Sequence, residues 1–187
     1  MYFISDKCLI ATKLRKYLEK TKDKVLTIRN IRRHFGCYGF SDNLPRIRRR
    51  IYNFLGCEID VNAKIYPSCF IGINRKLKMG GGSFLNYKCF LDLSDDITIG
   101  ENVAVAFECK FVTSFHIQGN ECCRAGKCVS APIRIDDGCW IGANTTILPG
   151  VHIKKGCIIG ANSLVTKSTI ENGLYVGSPA KRIKELK

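Results

Sequence analysis

The sequence predicts an all-β fold, a parallel β-helix built from six-residue repeats, with a helical segment on its N-terminal side. Three observations predict it. From Ile135 the chain divides into IDDGCW, IGANTT, ILPGVH, IKKGCI, IGANSL and VTKSTI, with Ile or Val opening every hexad. The fifth place is always small or β-branched: Cys, Thr, Val, Cys, Ser, Thr. The fourth place is Gly, Asn or Ser, residues suited to a tight bend and, for Gly and Asn, to its left-handed backbone. An α-helix repeats its apolar residues near every 3.6 positions and a half-buried strand every second one, so a period of six fits neither. It fits short strands joined by tight turns. Each side of a triangular coil then sends one large side chain into a narrow core.

The elements follow in order. Residues 1–56 lack the hexad. Residues 1–50 hold fourteen Lys/Arg against Asp6, Glu19, Asp23 and Asp42, which is +10 of the chain's +14. TKLRKYLEK and NLPRIRRRIYNFLG alternate apolar and basic residues at helical spacings, and Pro45 suits a first helical turn. Such a segment favours polyanions or an anionic membrane surface, and a solvated helical face explains it equally well. The coils are expected over 57–170, with IDVNAK and IYPSCF from Ile59 and IGENVA, VAFECK and FVTSFH from Ile99. KMGGGSF around 78–84 and LDLSDD at 91–96 each shift the repeat by two residues and are expected to be bulging turns. The longest interruption, IQGNECCRAGKCVSAP at 117–132, comes directly after His116. Residues 171–187 form a C-terminal tail.

Composition narrows the function classes. No apolar run approaches the roughly 18 residues of a spanning helix, and the start is too interrupted by charge for a signal peptide. A cytosolic location follows, in which the eleven cysteines should be mostly free thiols. Cys69, Cys109, Cys139 and Cys157 fall at fifth-place corners, where a small apolar residue packs well. CCRAGKC at 122–128 is not a paired C-x-x-C, and no His follows at ligand distance, so zinc is not expected. An acyl-cysteine intermediate on Cys122 or Cys123 stays open. MGGGS lacks the GK[ST] ending of a phosphate-binding loop and reads as a turn. The basic segment lacks interleaved aromatics, so nucleic-acid binding is not expected.

These hexads, with PIRIDDGCWIGANTTILPGVHIKKGCIIGANSLVTKS followed by YVGSPAKRIKE, resemble the hexapeptide-repeat acyltransferases of left-handed β-helix fold. Within that family they are most similar to the sugar O-acetyltransferases, which include maltose, galactoside and Nod-factor acetyltransferases. The resemblance covers about residues 57–187 and is specific from 83 onward. It implies left-handed coils and a homotrimer with active sites between subunits. It also implies acetyl-CoA as co-substrate, no metal, and direct transfer to a sugar or glycan hydroxyl.

Moving an acetyl group from a thioester to a hydroxyl needs a base, and a neutral imidazole suits the task. The chain offers His34, His116 and His152. His34 lies in the basic segment, and His152 fills the sixth place of a regular hexad, where a solvated corner residue is expected. His116 ends FVTSFH at the mouth of the long loop and matches the family's T-x-x-H step, so the resemblance makes it the general base. Asn86 falls where the family carries an acceptor-binding Asn, with a turn-satisfying role as the plain alternative. A carboxylate should follow it to hold a sugar hydroxyl; Asp92 is favoured over Asp95. The resemblance further makes the Ala143 N–H the oxyanion donor. Trp140, Gly142 and Ala161 would line the coenzyme A channel, and Lys167, Lys181 and Arg182 would meet its phosphates. The basic front segment suggests an acceptor carried on an anionic lipid or membrane surface, as in capsule or lipopolysaccharide assembly. The enzyme would then sit peripherally on the inner face of the membrane. Two alternatives remain at this point: another small acceptor (serine, an amino sugar, an antibiotic), or a non-catalytic β-helix scaffold.

Overall fold

The computed structural model describes residues 45–187 except residue 73, and the helical and basic character assigned to residues 1–44 lies outside the described residues. Helix α1, Pro45–Phe54, precedes five coils of three short strands each. The first coil holds β1 (Glu58–Ile59), β2 (Lys64–Ile65) and β3 (Phe70–Ile71). The second holds β4 (Leu77–Met79), β5 (Phe84–Leu85) and β6 (Phe90–Leu91); the third, β7 (Ile97–Ile99), β8 (Ala104–Val105) and β9 (Lys110–Phe111). A hairpin of β10 (Ser114–Gln118) and β11 (Ala125–Ser130) interrupts the winding. The fourth coil is β12 (Ile133–Ile135), β13 (Trp140–Ile141) and β14 (Thr146–Ile147). The fifth is β15 (His152–Ile153), β16 (Ile158–Ile159) and β17 (Leu164–Val165). β18 (Gly173–Gly177) begins a sixth turn, and β19 (Ala180–Glu185) folds back antiparallel on it.

Stacking the coils produces three parallel sheets. Sheet A is β1-β4-β7-β12-β15, sheet B is β2-β5-β8-β13-β16-β18 with β19 outside, and sheet C is β3-β6-β9-β14-β17. Each two-residue strand turns its second side chain inward, so Ile65, Leu85, Val105, Ile141 and Ile159 form one buried ladder. Burying each such side chain contributes about 1.5–3 kcal/mol. The narrow corners take small residues, and Cys69, Cys89, Cys109, Thr145 and Ser163 are all buried. The Cys69, Cys89 and Cys109 thiols donate to Asn86 O, Ala106 O and Gly142 O at 3.0, 3.2 and 3.2 Å, tying each corner to the coil above. The fourth-place residues Gly138, Asn144, Gly150, Gly156 and Asn162 have φ between +56° and +78°, the left-handed bend that their types favour.

Coil length is not uniform. Ile59 pairs with Met79 and Met79 with Ile99, twenty residues apart, whereas Ile135 pairs with Ile153, eighteen apart. The extra residues enter on the way into sheet A, whose strands β4, β7 and β12 each bury two side chains: Leu77 and Met79, Ile97 and Ile99, Ile133 and Ile135. The first shift therefore precedes Met79 and does not lie in KMGGGSF, as the sequence had led us to expect. Met79 to Leu85 is a regular six-residue step, and the glycines only turn the corner. The second shift does fall at 91–96, since Leu91, Ile97 and Ile99 are all buried. The hairpin leaves from the same edge, between sheets C and A.

Helix α1 closes the open N-terminal end of the stack. Asn53 Nδ2 donates to Ile59 O and Asn53 Oδ1 accepts from Ile59 N, both at 2.9 Å, standing in for the strand that β1 lacks. Arg48 donates to Ile65 O at 3.0 Å on β2. At the other end β19 carries Lys181, Arg182 and Lys184 along its exposed edge, which discourages further pairing. No helix among the described residues is long and apolar enough to cross a membrane.

Candidate active site

Most of the residues singled out from sequence fall on two edges of the prism. On the C-to-A edge, the hairpin starts at Ser114, so His116 stands within its first strand and not at the end of a regular coil. His116 is exposed, and its Nδ1 lies 2.7 Å from Gly126 O. Its cross-strand partner is Cys128, so the imidazole and the thiol project from the same face of the hairpin. Among the described residues, the hydrogen bonds joining hairpin to coils are confined to its root at Thr113, Ser114, Ser130 and Ala131.

Asp92 sits beneath that root. Its Oδ2 accepts from Thr113 N (3.2 Å), Thr113 Oγ1 (3.1 Å), Ser114 N (3.0 Å) and Ser114 Oγ (2.7 Å), and its Oδ1 from Ser94 Oγ (2.8 Å). Burial pushes this carboxyl up, but the hydrogen bonds from Ser114, Ser94 and Thr113 outweigh it and hold it below the usual carboxylate range. A sugar hydroxyl at Oδ2 would have to displace donors already in place.

The B-to-C edge carries Asn86, Gly142, Ala143 and Ala161, with Trp140 beside them on the outer face of sheet B. Asn86 is half-buried; its Oδ1 accepts from Tyr87 N at 2.9 Å, and its Nδ2 has no hydrogen-bond partner among the described residues. Trp140 is 55% exposed between Ala104 and Ile158 on the neighbouring strands. The Ala143 carbonyl accepts from Asn162 N at 2.9 Å, while the Ala143 N–H has no acceptor among the described residues. That free N–H follows from the fold. At this corner the chain steps outward between two ladder bonds, here Gly142 N to Ile159 O and Asn144 N to Phe107 O. On the preceding coils Tyr87 and Phe107 occupy the same corner, with rings 6.4 Å apart, so small residues open it only at Ala143 and Ala161.

The basic candidates are exposed and spread out. Lys167 follows β17 on the C-to-A side, while Lys181 and Arg182 lie on β19 beyond sheet B. Arg182 is 4.0 Å from Glu185. His152, expected at a solvated corner, is half-buried on β15, its Nε2 2.8 Å from Asp136 Oδ2. A shallow depression lined by Asn53, Glu58, Asp60, Lys78 and Glu101 lies against sheet A and contains none of these residues. Sequence reasoning missed Ser114, Ser130 and the Gly126 carbonyl, and left the role of Cys128 in CCRAGKC open. A hairpin centred on residues 121 and 122 would have paired 128 near 116; nothing in the sequence marks a carbonyl.

Known proteins share this arrangement of coils. The family model for bacterial transferase hexapeptide (six repeats) matches residues 132–167, which span the fourth and fifth coils. Galactoside O-acetyltransferase of Escherichia coli K12 is 32% identical over 141 residues, covering 74% of this chain and 68% of the relative. The chain belongs to the hexapeptide-repeat acetyltransferase family. Another relative, galactoside O-acetyltransferase of Lactococcus lactis, is 31% identical over 136 residues, 72% of this chain and 66% of its own length. The chain spans 59% of a Schizosaccharomyces pombe relative that is 38% identical over 124 residues. Among solved structures, a maltose O-acetyltransferase from Clostridium difficile 630 has a TM-score of 0.75 at 26% identity, covering 88% of this chain and 90% of that one. A galactoside acetyltransferase in complex with coenzyme A has a TM-score of 0.70 at 25% identity, covering 85% and 78%. The match of this hexapeptide-repeat chain extends beyond the regular hexads to most of its coils.

Proposed function

We propose that this family member is an acetyl-CoA-dependent O-acetyltransferase for a sugar or glycan hydroxyl, with His116 as general base. The observation that carries the reading is the 2.7 Å contact of His116 Nδ1 with Gly126 O. A carbonyl only accepts, so Nδ1 holds the proton of the neutral ring and Nε2 presents its lone pair. Nε2 then takes the proton of the acceptor hydroxyl as that oxygen attacks the thioester carbonyl. The oxyanion that forms is received by the free Ala143 N–H, which needs no reorganisation. Collapse of the intermediate breaks the C–S bond, and the departing thiolate takes the proton from the imidazolium. The unpartnered Asn86 amide would hold the acceptor, Trp140 with the main chain of Gly142 and Ala161 the pantetheine arm, and Lys167, Lys181 and Arg182 the phosphates.

His116 and Ala143 stand on different edges of one chain, which supports a homotrimer whose sites form where the hairpin edge of one copy meets the B-to-C edge of the next. The names of the relatives support a sugar hydroxyl as acceptor and coenzyme A as carrier. The +10 segment supports an acceptor on an anionic surface.

The test is acceptor-dependent thiol release from acetyl-CoA across a saccharide panel. His116→Ala should lower it by about 10²–10⁴-fold, the usual worth of a positioned base, with coenzyme A binding unchanged by calorimetry. Release that survives the substitution would remove His116 from the mechanism. No coenzyme A binding by the wild type would remove the enzyme reading altogether.

A further inference from the structure

We propose that Asp92 and Asp95 are positioning residues that clamp the two roots of the hairpin and so fix where His116 points. The proposal rests on the reading of His116 as base. The first cross-strand pair of the hairpin is Ser114 opposite Ser130. Asp92 Oδ2 takes the Ser114 hydroxyl and backbone N–H at 2.7 and 3.0 Å, and Asp95 Oδ2 takes the Ser130 hydroxyl at 3.1 Å. Each member of that pair is thus held by its own carboxylate. Residues two apart on a strand share a face, so Ser114 and His116 project together, as do Ser130 and Cys128. The carboxylates grip the face that carries the imidazole.

Two points of attachment do what one cannot. A stem fixed at a single root rotates about it; fixing both members of the pair removes that rotation. Thr113 completes the joint: its hydroxyl donates to Asp92 Oδ2 at 3.1 Å and accepts from Asp95 N at 3.1 Å, and its carbonyl accepts from Ala131 N at 2.9 Å. The platform is itself anchored. Leu93, between the two acids, is fully buried with φ +51°, a left-handed conformation costly for a leucine. Asp96 Oδ1 accepts from Lys76 N at 3.0 Å, tying the turn to the coil below. Backbone strain of this kind persists where its surroundings over-determine it. Here it sets two carboxylates side by side under the hairpin. Both acids of the clamp lie in the lengthened step from Leu91 to Ile99.

An acceptor contact at Asp92 and a clamp predict different kinetics. With the clamp, Asp92→Asn and Asp95→Asn each lower kcat at least tenfold. KM for acetyl-CoA and for the acceptor stays within about threefold, because the binding groups on the B-to-C edge are untouched. Amide hydrogen exchange over 114–130 rises at least tenfold in both variants, while 97–111 and 133–153 keep wild-type protection. Ser130→Ala, which removes only the Asp95 prong, gives the same pattern at smaller size and serves if an aspartate variant does not fold. Asp92→Asn that raises the acceptor KM with kcat retained would make Asp92 a substrate contact and overturn the clamp. Unchanged hairpin exchange would overturn it as well. If wild type and His116→Ala release thiol equally, the reading of His116 fails, and the exchange measurement still decides the clamp.

Discussion

Replacing Asn53 with alanine should unfasten one end of the molecule and leave the other alone. Asn53 offers Ile59 both a donor and an acceptor, each at 2.9 Å, and Ile59 is only 4% exposed. A hydrogen bond of this kind nets about 1 kcal/mol, so losing both costs about 2 kcal/mol, more if water fails to reach the freed backbone groups. A stacked repeat distributes stability between neighbours, so the loss should stay within the first coil. Converted at about 1.4 kcal/mol per factor of ten, amides of β1 to β3 should exchange about 30-fold faster. Amides over 133–165 should keep their protection. Asn53→Asp keeps the acceptor and loses the donor, and should fall between. Faster exchange spread evenly over all coils would refute the localised capping argument; a change under threefold in the first coil would refute the value placed on the two bonds.

Other expectations concern single residues. A Cβ on Gly142 would meet only main chain of the next coil, with Gly160 C and Ile159 O at 2.8 Å; on Gly138 it would meet nothing within 4 Å, but φ there is +68°. Gly142→Ala should therefore cost about 1–3 kcal/mol by overpacking and Gly138→Ala about 1 kcal/mol by backbone strain, compared by urea midpoints; the reverse order would contradict the packing. Burial raises the Asp136 carboxyl, but His152 and Arg134 outweigh it and hold it below its ordinary value. Its contribution is then present above the unfolded-state pKa and lost as pH falls through the lower folded one. Asp136→Asn should flatten the acid limb of stability below about pH 4, and a limb parallel to wild type would exclude the pair. Cys128 faces His116 across the hairpin, so alkylation should abolish thiol release and Cys128→Ser should protect against it. Protection by Cys122→Ser instead would contradict that register.

Much of the fold is legible because one large side chain in six is a rhythm that neither helix nor flat strand produces. Ile141, Ile147, Ile153, Ile159 and Val165 face inward as read. The first register shift was misplaced because glycines look like an interruption, whereas the added residues sit ahead of Met79, where one strand buries two side chains. Cys89 is a corner residue that hexads counted from Ile135 do not reach; its place follows from the twenty-residue spacing of Cys69, Cys89 and Cys109. The B-to-C corner at Ala143 follows from the same hexads, whereas Asn86, which those hexads do not reach, is placed there only by the resemblance. The contacts of Asp92 were not readable, because apart from Ser94 Oγ its donors come from residues 113 and 114, one coil further on.

The placement of every departure from six on a single edge has a consequence for how such chains can change. Along the other two edges the step between inward residues is invariant, and adding or deleting a residue there would turn a core ladder inside out. Along the C-to-A edge the chain absorbs two residues twice and an entire hairpin once, and the ladders on either side still meet in register. That edge is a seam, open to insertion without retuning the interior. New length can be tried there, discarded or extended while the stack remains intact, so the surface can vary along one line while the remaining two stay fixed by packing.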